Sequence, residues 1–202
     1  YMHERAAVVL CRMNDARAAL DLVETRRPRI PFDVYASAIS ALTWMVRTHV
    51  SPQAALSLAL RTFKALYEAG MHADEQMYGE LVRAFESRMH SRPAETCTWV
   101  EARVGEHIPW TTLLASWTRH MIAHHDVPLV RADHLSRLLR LHIRCRHGWL
   151  SRQLYEQMRE HHASMLPCTS PTLFGWLFMQ SYSRPTSLSF AMRLYQDWCA
   201  SG

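Results

Sequence analysis

The sequence predicts an all-α fold, an α-solenoid of stacked antiparallel helical hairpins, and three observations point there. Apolar residues recur every three and four positions along almost every segment of the 202-residue chain. Strand signals are poor: alternation is short, and no Asn-Gly or Asp-Gly hairpin turn occurs. The helical segments also come in pairs. Similar positions are 43 residues apart from Tyr35 to Tyr78 and 39 apart from Leu135 to Phe174, in the range of helical repeats. Two short helices cannot bury their apolar faces alone, and stacking on neighbours gives them a continuous core.

Taken in order, residues 1–31 pair "HERAAVVLCRM" with "NDARAALDLVETRR". Residues 32–74 open with "PFDVYASAISALTWMV", where Tyr35, Ala38, Ile39, Leu42 and Met45 form one stripe. Ser51-Pro52 starts the second helix of this unit, with proline where its missing N–H is harmless. Leu56, Ala59, Leu60, Phe63, Leu66 and Tyr67 carry that helix's apolar face. Gly70 then suits a left-handed helix end, and Asp74 suits the cap of the next helix. Residues 75–108 pair "DEQMYGELVRAFESR", with its stripe Met77, Tyr78, Leu81, Val82 and Phe85, with "AETCTWVEARVGE". Residues 109–131 hold one helix, "IPWTTLLASWTRHMIAHH", whose partner the sequence leaves open because only "DVPLV" follows before the next pair. Residues 132–168 pair "ADHLSRLLRLHIRCRH" with "LSRQLYEQMREHH". Residues 169–202 pair "SPTLFGWLFMQSYSR" with "TSLSFAMRLYQDWCASG". All six units are expected to form one helical-repeat domain.

Composition narrows the class. About half the residues are apolar and a fifth charged, as in an ordinary globular protein. No apolar run reaches the ~18 residues of a membrane span. Five scattered cysteines without a CxxC pair favour a reducing compartment over a disulfide framework. The first residues already read as helix, so any targeting peptide lies outside this sequence. Net charge is +5, and Lys64 is the one lysine among 23 Lys and Arg residues. Arginine suits bidentate phosphate contact and base stacking; biased codon usage is the plainer source of the excess.

The main binding candidate is "DHLSRLLRLHIRCRH". At 100° per residue, Arg137, Arg140, Arg144 and His147 fall within a sector of roughly 80°. Leu135, Leu138, Leu139, Leu141 and Ile143 take the rest, and Arg131, Arg146 and Arg152 lie nearby in sequence. Residues 130 to 165 hold seven Arg against Asp133, Glu156 and Glu160, which is four of the chain's five net charges. Such a concentration suits a phosphate-tracking surface. A solvated face or contact with an acidic protein is the alternative. Thirteen histidines include His142, Cys145 and His147 on one segment and His120, His124 and His125 on another, but no spacing defines a metal site. No metal or other cofactor is expected. The seven tryptophans read as packing, with Trp110 and Trp149 placed at helix openings where bases could stack. No phosphate loop, HExxH or GxSxG occurs, so no enzyme is expected.

The junction "ALSLALRTFKALYEAGMHAD" followed by "EQMYGELV" resembles the pentatricopeptide repeat family. There the second helix reads A-x-x-L-F-x-x-M-x-x-x-G, and a link ending in Asp leads to Tyr-x-x-Leu-Ile. "LSRQLYEQMREHH", "SFAMRLYQDWCASG", "FDVYASAIS" and "PTLFGWLF" resemble other parts of the repeat more loosely, and together they cover about two-thirds of the chain. The resemblance implies an organellar, here mitochondrial, RNA-associated protein acting in RNA processing, editing, stability or the mitochondrial ribosome. It implies partners that are RNA, held mainly through phosphates, and other protein subunits of a larger complex. By the family's pattern the base-reading positions are Ala36, Gly79 and Gly175 with the link residue Asp74. Alanine and glycine have no hydrogen-bonding side chain, so sequence-specific reading by these repeats is not expected, whereas phosphate contact and scaffolding do not need those positions. The alternative is a protein-only scaffold resembling a tetratricopeptide adaptor, with no direct RNA contact.

Overall fold

The computed structural model describes residues 30–48, 52–91, 109–161 and 188–201, together with Gly175 and Leu177. Every regular element among them is helical, and none is a strand. The pairs drawn from residues 1–31 and the second half of the 75–108 pair lie outside the described residues. Of the first helix in 169–202, only Gly175 and Leu177 are described; both are helical and Leu177 is buried. No helix among the described residues is long and apolar enough to cross a membrane. The chain divides into two compact units, Tyr1–Leu114 and Ala115–Gly202.

The first unit contains α1 (Phe32–Arg47), α2 (Pro52–Glu68) and α3 (Glu75–Ser91). All five stripe residues expected on α1 are buried, as are all five on α3. Burying one large apolar side chain contributes about 1.5–3 kcal/mol, so these stripes outweigh the modest propensity of the helices alone. α1 packs against both α2 and α3, while α2 and α3 meet over a smaller area. An aromatic group sits between the latter two: the Phe63 ring lies edge-on to Tyr78 at 5.5 Å, and the Tyr67 and Tyr78 hydroxyls are 2.6 Å apart.

The Gly70 junction folds as its residues demand. Gly70 has φ +74°, where a side chain would be strained although nothing crowds the position. The Met71 N–H donates to the Leu66 carbonyl and the Gly70 N–H to that of Tyr67, the two bonds of a Schellman end. Asp74 Oδ1 then accepts from the Met77 N–H at 2.8 Å and caps α3.

The second unit holds the latter part of α4 (Trp110–Ala123), a 3-10 turn (Val127–Leu129), α5 (Ala132–Arg144), α6 (Gly148–His161) and α7 (Leu188–Ser201). α5 and α6 form a hairpin whose core includes Leu135, Leu138, Leu139, Leu150, Leu154 and Met158. Within "DVPLV", the link after α4, Val127–Leu129 form the compact 3-10 turn, which packs against α6. Two more helices end in Schellman geometry without glycine. His125 and Arg146 both take φ 57°, with Asp126 bonded back to Met121 and His147 back to His142.

α6 and α7 run side by side in the same direction, because their contacts advance together along both helices. Arg152 lies over the Phe190 ring at 5.1 Å, Arg193 donates to Glu156 at 3.2 Å, and Arg159 donates to Asp197 at 3.1 Å. Arg193–Glu156 spans 37 residues and Arg159–Asp197 spans 38. In the first unit, the Thr43 hydroxyl of α1 donates to Glu80 of α3 at 3.2 Å, again across 37 residues. A separation of 37 residues thus recurs in both units, beside contacts at 33 (Arg47–Glu80) and 42 (Tyr155–Asp197).

Candidate nucleic-acid interface

α5 sets the basic surface. Its apolar positions bury one side, which leaves Arg137, Arg140 and Arg144 exposed on the other. Among the described residues, Arg140, Arg144 and Arg146 have no carboxylate partner, and all three are exposed. Arg146 owes its outward position to the left-handed turn that closes α5. A guanidinium in water with no competing carboxylate keeps its full donor set for phosphate oxygens.

The remaining candidates are engaged. Arg131, just before α5, donates to Asp133 at 3.1 Å. Burial pushes the Asp133 carboxyl up, but His134 and Arg131 outweigh it and leave that group below its ordinary value. Arg152 is half-buried between Glu156 at 3.2 Å and the Phe190 ring, so it belongs to the α6–α7 contact.

His147 leaves the ridge on which periodicity placed it. α5 stops at Arg144, the Arg146 turn reverses the chain, and His147 precedes α6 half-buried. Its Nδ1 lies 3.0 Å from Nδ1 of the fully buried His142. On the far side of that ring, His142 Nε2 is 2.7 Å from the Thr118 hydroxyl of α4. Burial, reinforced by His147, lowers His142 to about 3, so this ring is neutral at physiological pH. Burial also lowers His147, with the Arg119 charge adding to the effect. One hydrogen serves the contact between the two Nδ1 atoms, and protonating both rings would break it. The His142 ring is thus a core group. Its position seven after Leu135, three after Leu139 and four after Leu138 is the signal that identifies it.

The first unit has a groove of about 550 Å³ between α1 and α3. Ala36, Ser37, Ser40 and Ala41 form a low shelf on α1, and Trp44 stands exposed at its side. Asp74 and Glu80 line the opposite wall, where Glu80 accepts from Thr43 and pairs with Arg47 at 3.3 Å and Arg83 at 3.0 Å. Of the base-reading candidates, Ala36 and Asp74 share this groove, although Asp74 Oδ1 is committed to capping α3. Gly79 is buried within α3, and Gly175 is exposed in the second unit. Trp44 lies off the buried stripe of α1, so its exposure was readable from spacing. Trp110 is buried, in line with Leu113, Leu114, Trp117 and Met121 at helical spacing, whereas Trp149 is exposed.

Among the described residues, no group of three or more His, Cys, Asp or Glu could hold a metal ion. The accessible features among the described residues include an arginine strip and the exposed Trp149 on the second unit and a groove flanked by Trp44 on the first. No protein-family model, no curated protein and no solved structure matches this chain.

Proposed function

We propose that this chain is a pentatricopeptide-like helical-repeat subunit of a mitochondrial ribonucleoprotein assembly that contacts RNA through backbone phosphates. It acts without catalysis, in RNA processing, editing or stability or as part of the mitochondrial ribosome. The observation that carries the RNA contact is the strip Arg137, Arg140, Arg144 and Arg146, exposed together, with no carboxylate neutralising the last three. The 37–38-residue offset in both units and the Gly70–Asp74 junction support a stack of hairpins, the architecture in which such strips line up. The Trp44 groove, bordered by alanines and serines, offers a planar surface without base-edge specificity.

Filter binding with a generic single-stranded RNA at two salt concentrations tests this reading. The wild-type chain binds more weakly as salt rises, and Arg137→Glu/Arg140→Glu/Arg144→Glu abolishes binding for all sequences alike. Removing a single arginine–phosphate interaction flattens the log–log salt slope by about 0.7. Absence of binding at low salt overturns the RNA reading. A protein-only scaffold is the second reading, favoured by the exposed side chains Met192, Tyr195 and Trp198 along α7.

A further inference from the structure

The exposed tryptophans among the described residues differ in their neighbours. Trp44 shares its groove with Arg47, which Glu80 holds at 3.3 Å, and Trp198 follows Asp197, which Arg159 engages at 3.1 Å. Trp149 is 58% exposed and opens α6 just after Arg144 and Arg146, both exposed and without a carboxylate among the described residues. No aromatic ring or guanidinium among the described residues covers its indole. Trp110 also stands at a helix opening yet is buried, so that position alone does not expose a ring.

A further charge reaches this turn from α4. The Thr118 hydroxyl is 2.7 Å from the His142 ring, and that ring is 3.0 Å from His147, so these contacts draw Thr118 and its neighbour Arg119 toward the α5–α6 turn. Burial lowers the proton affinity of His147 and the Arg119 charge adds to the effect, as a guanidinium close to the turn does. Arg119 is exposed and has no carboxylate partner among the described residues. The periodicity of α5 gives no hint of it, because it belongs to another helix. Like charges gathered without a counterion repel, and a phosphate relieves them through charge-assisted hydrogen bonds. An indole beside them adds a flat apolar face on which a base stacks. A duplex keeps its bases paired and stacked inside, so an unpaired nucleotide is what satisfies both parts.

We propose that the α5–α6 turn is a nucleotide site for single-stranded RNA, with an unpaired base stacked on Trp149 and the flanking phosphates held by Arg119, Arg144 and Arg146. This site presupposes the RNA contact proposed above and adds selectivity to it: the arginines take any backbone, and Trp149 favours strands whose bases are free.

Fluorescence anisotropy with a labelled single-stranded RNA tests it, with an abasic strand of the same length and a duplex of the same sequence as comparators. Trp149→Ala weakens binding of the intact strand at least about fivefold, leaves the salt slope unchanged, and does not alter binding of the abasic strand or the duplex. Trp149→Phe keeps most of the affinity. Arg119→Gln flattens the log–log salt slope by about 0.7 on the intact and abasic strands alike. Circular dichroism melting gives an unchanged Tm for all three variants, as expected for exposed positions. An equal loss on intact and abasic strands overturns the stacking site, and so does a drop of several degrees in Tm for Trp149→Ala, which would make the ring internal packing. An unchanged slope for Arg119→Gln overturns the part given to Arg119. If the wild-type chain binds RNA and Trp149→Ala binds it equally well, this site fails and the arginine strip stands. If the wild-type chain binds no RNA at low salt, both fail.

Discussion

In the first unit, one carboxylate ties α1 to α3: Glu80 takes the Thr43 hydroxyl and the Arg47 and Arg83 guanidiniums. In the second, two carboxylates tie α6 to α7, Glu156 through Arg152 and Arg193, and Asp197 through Tyr155 and Arg159. Both clusters set a glutamate between an arginine of its own helix and one of the neighbouring helix, and each unit has one contact at 37 residues, beside others at 33 for Arg47–Glu80 and 42 for Tyr155–Asp197. The units also differ at their turns. Gly70 ends α2 with an achiral residue, while His125 and Arg146 accept the same left-handed geometry with side chains attached.

The largest expected contrast is between two tyrosines at equivalent positions on α6 and α7. Tyr155→Ala removes a buried ring and leaves Asp197 without its hydroxyl donor, so it costs about 3–5 kcal/mol in urea unfolding. Tyr195→Ala, on the exposed face, costs less than about 0.5 kcal/mol. Equal losses would break the assignment of one face as filled and the other as open.

Acid separates the units next. His142 is lowered to about 3 in the folded chain from 6.5, so the unfolded state takes up the proton first. Its contribution is complete above pH 6.5 and is lost as pH falls toward 3. The second unit loses about 2 kcal/mol between pH 7 and pH 5. The downward shift of His147 acts with the same sign. Both rings lie in the second unit, whose amides therefore lose hydrogen-exchange protection over that range. His142→Leu flattens the pH dependence of the second unit.

The two clusters themselves differ less. The Glu80 side chain is 13% exposed and that of Glu156 is 37%. Glu80→Ala leaves Arg47 without its carboxylate, while the Thr43 hydroxyl keeps the Ser40 carbonyl, and costs about 1–3 kcal/mol, against less than about 1 kcal/mol for Glu156→Ala. The effects at the turns have opposite signs. Gly70→Ala destabilises by about 1 kcal/mol through strain, and Arg146→Gly stabilises by a similar amount at most.

The same contrast explains what the sequence made legible. The stripes of α1 and α3 and the Gly70–Asp74 junction were readable because spacing, glycine and cap all point the same way. The end of α5 was not, because Arg146 carries no signature of a left-handed turn. Periodicity ran past it and placed His147 on the arginine ridge. His142 was hidden by its type: a histidine on an apolar stripe needs partners, and Thr118 and His147 come from other segments. The separation of engaged from accessible arginines was equally unreadable, since Arg152 is claimed by Phe190 of α7, far along the chain. For the candidate strip, composition identified the segment and tertiary pairing distinguished Arg140, Arg144 and Arg146 within it.

Distance measurements between paired spin labels test the central claim, that neighbouring helices one offset apart run in the same direction. With the native cysteines replaced by serine, labels are placed at Gln153 or Glu160 of α6 and at position 189 or 199 of α7. A same-direction pair makes 153–189 and 160–199 the short distances. The crossed pairs, 153–199 and 160–189, are longer, since ten residues of helix span about 15 Å. Short crossed distances and long matched ones would mean that α7 runs against α6, and the repeat offset drawn from their contacts would be wrong.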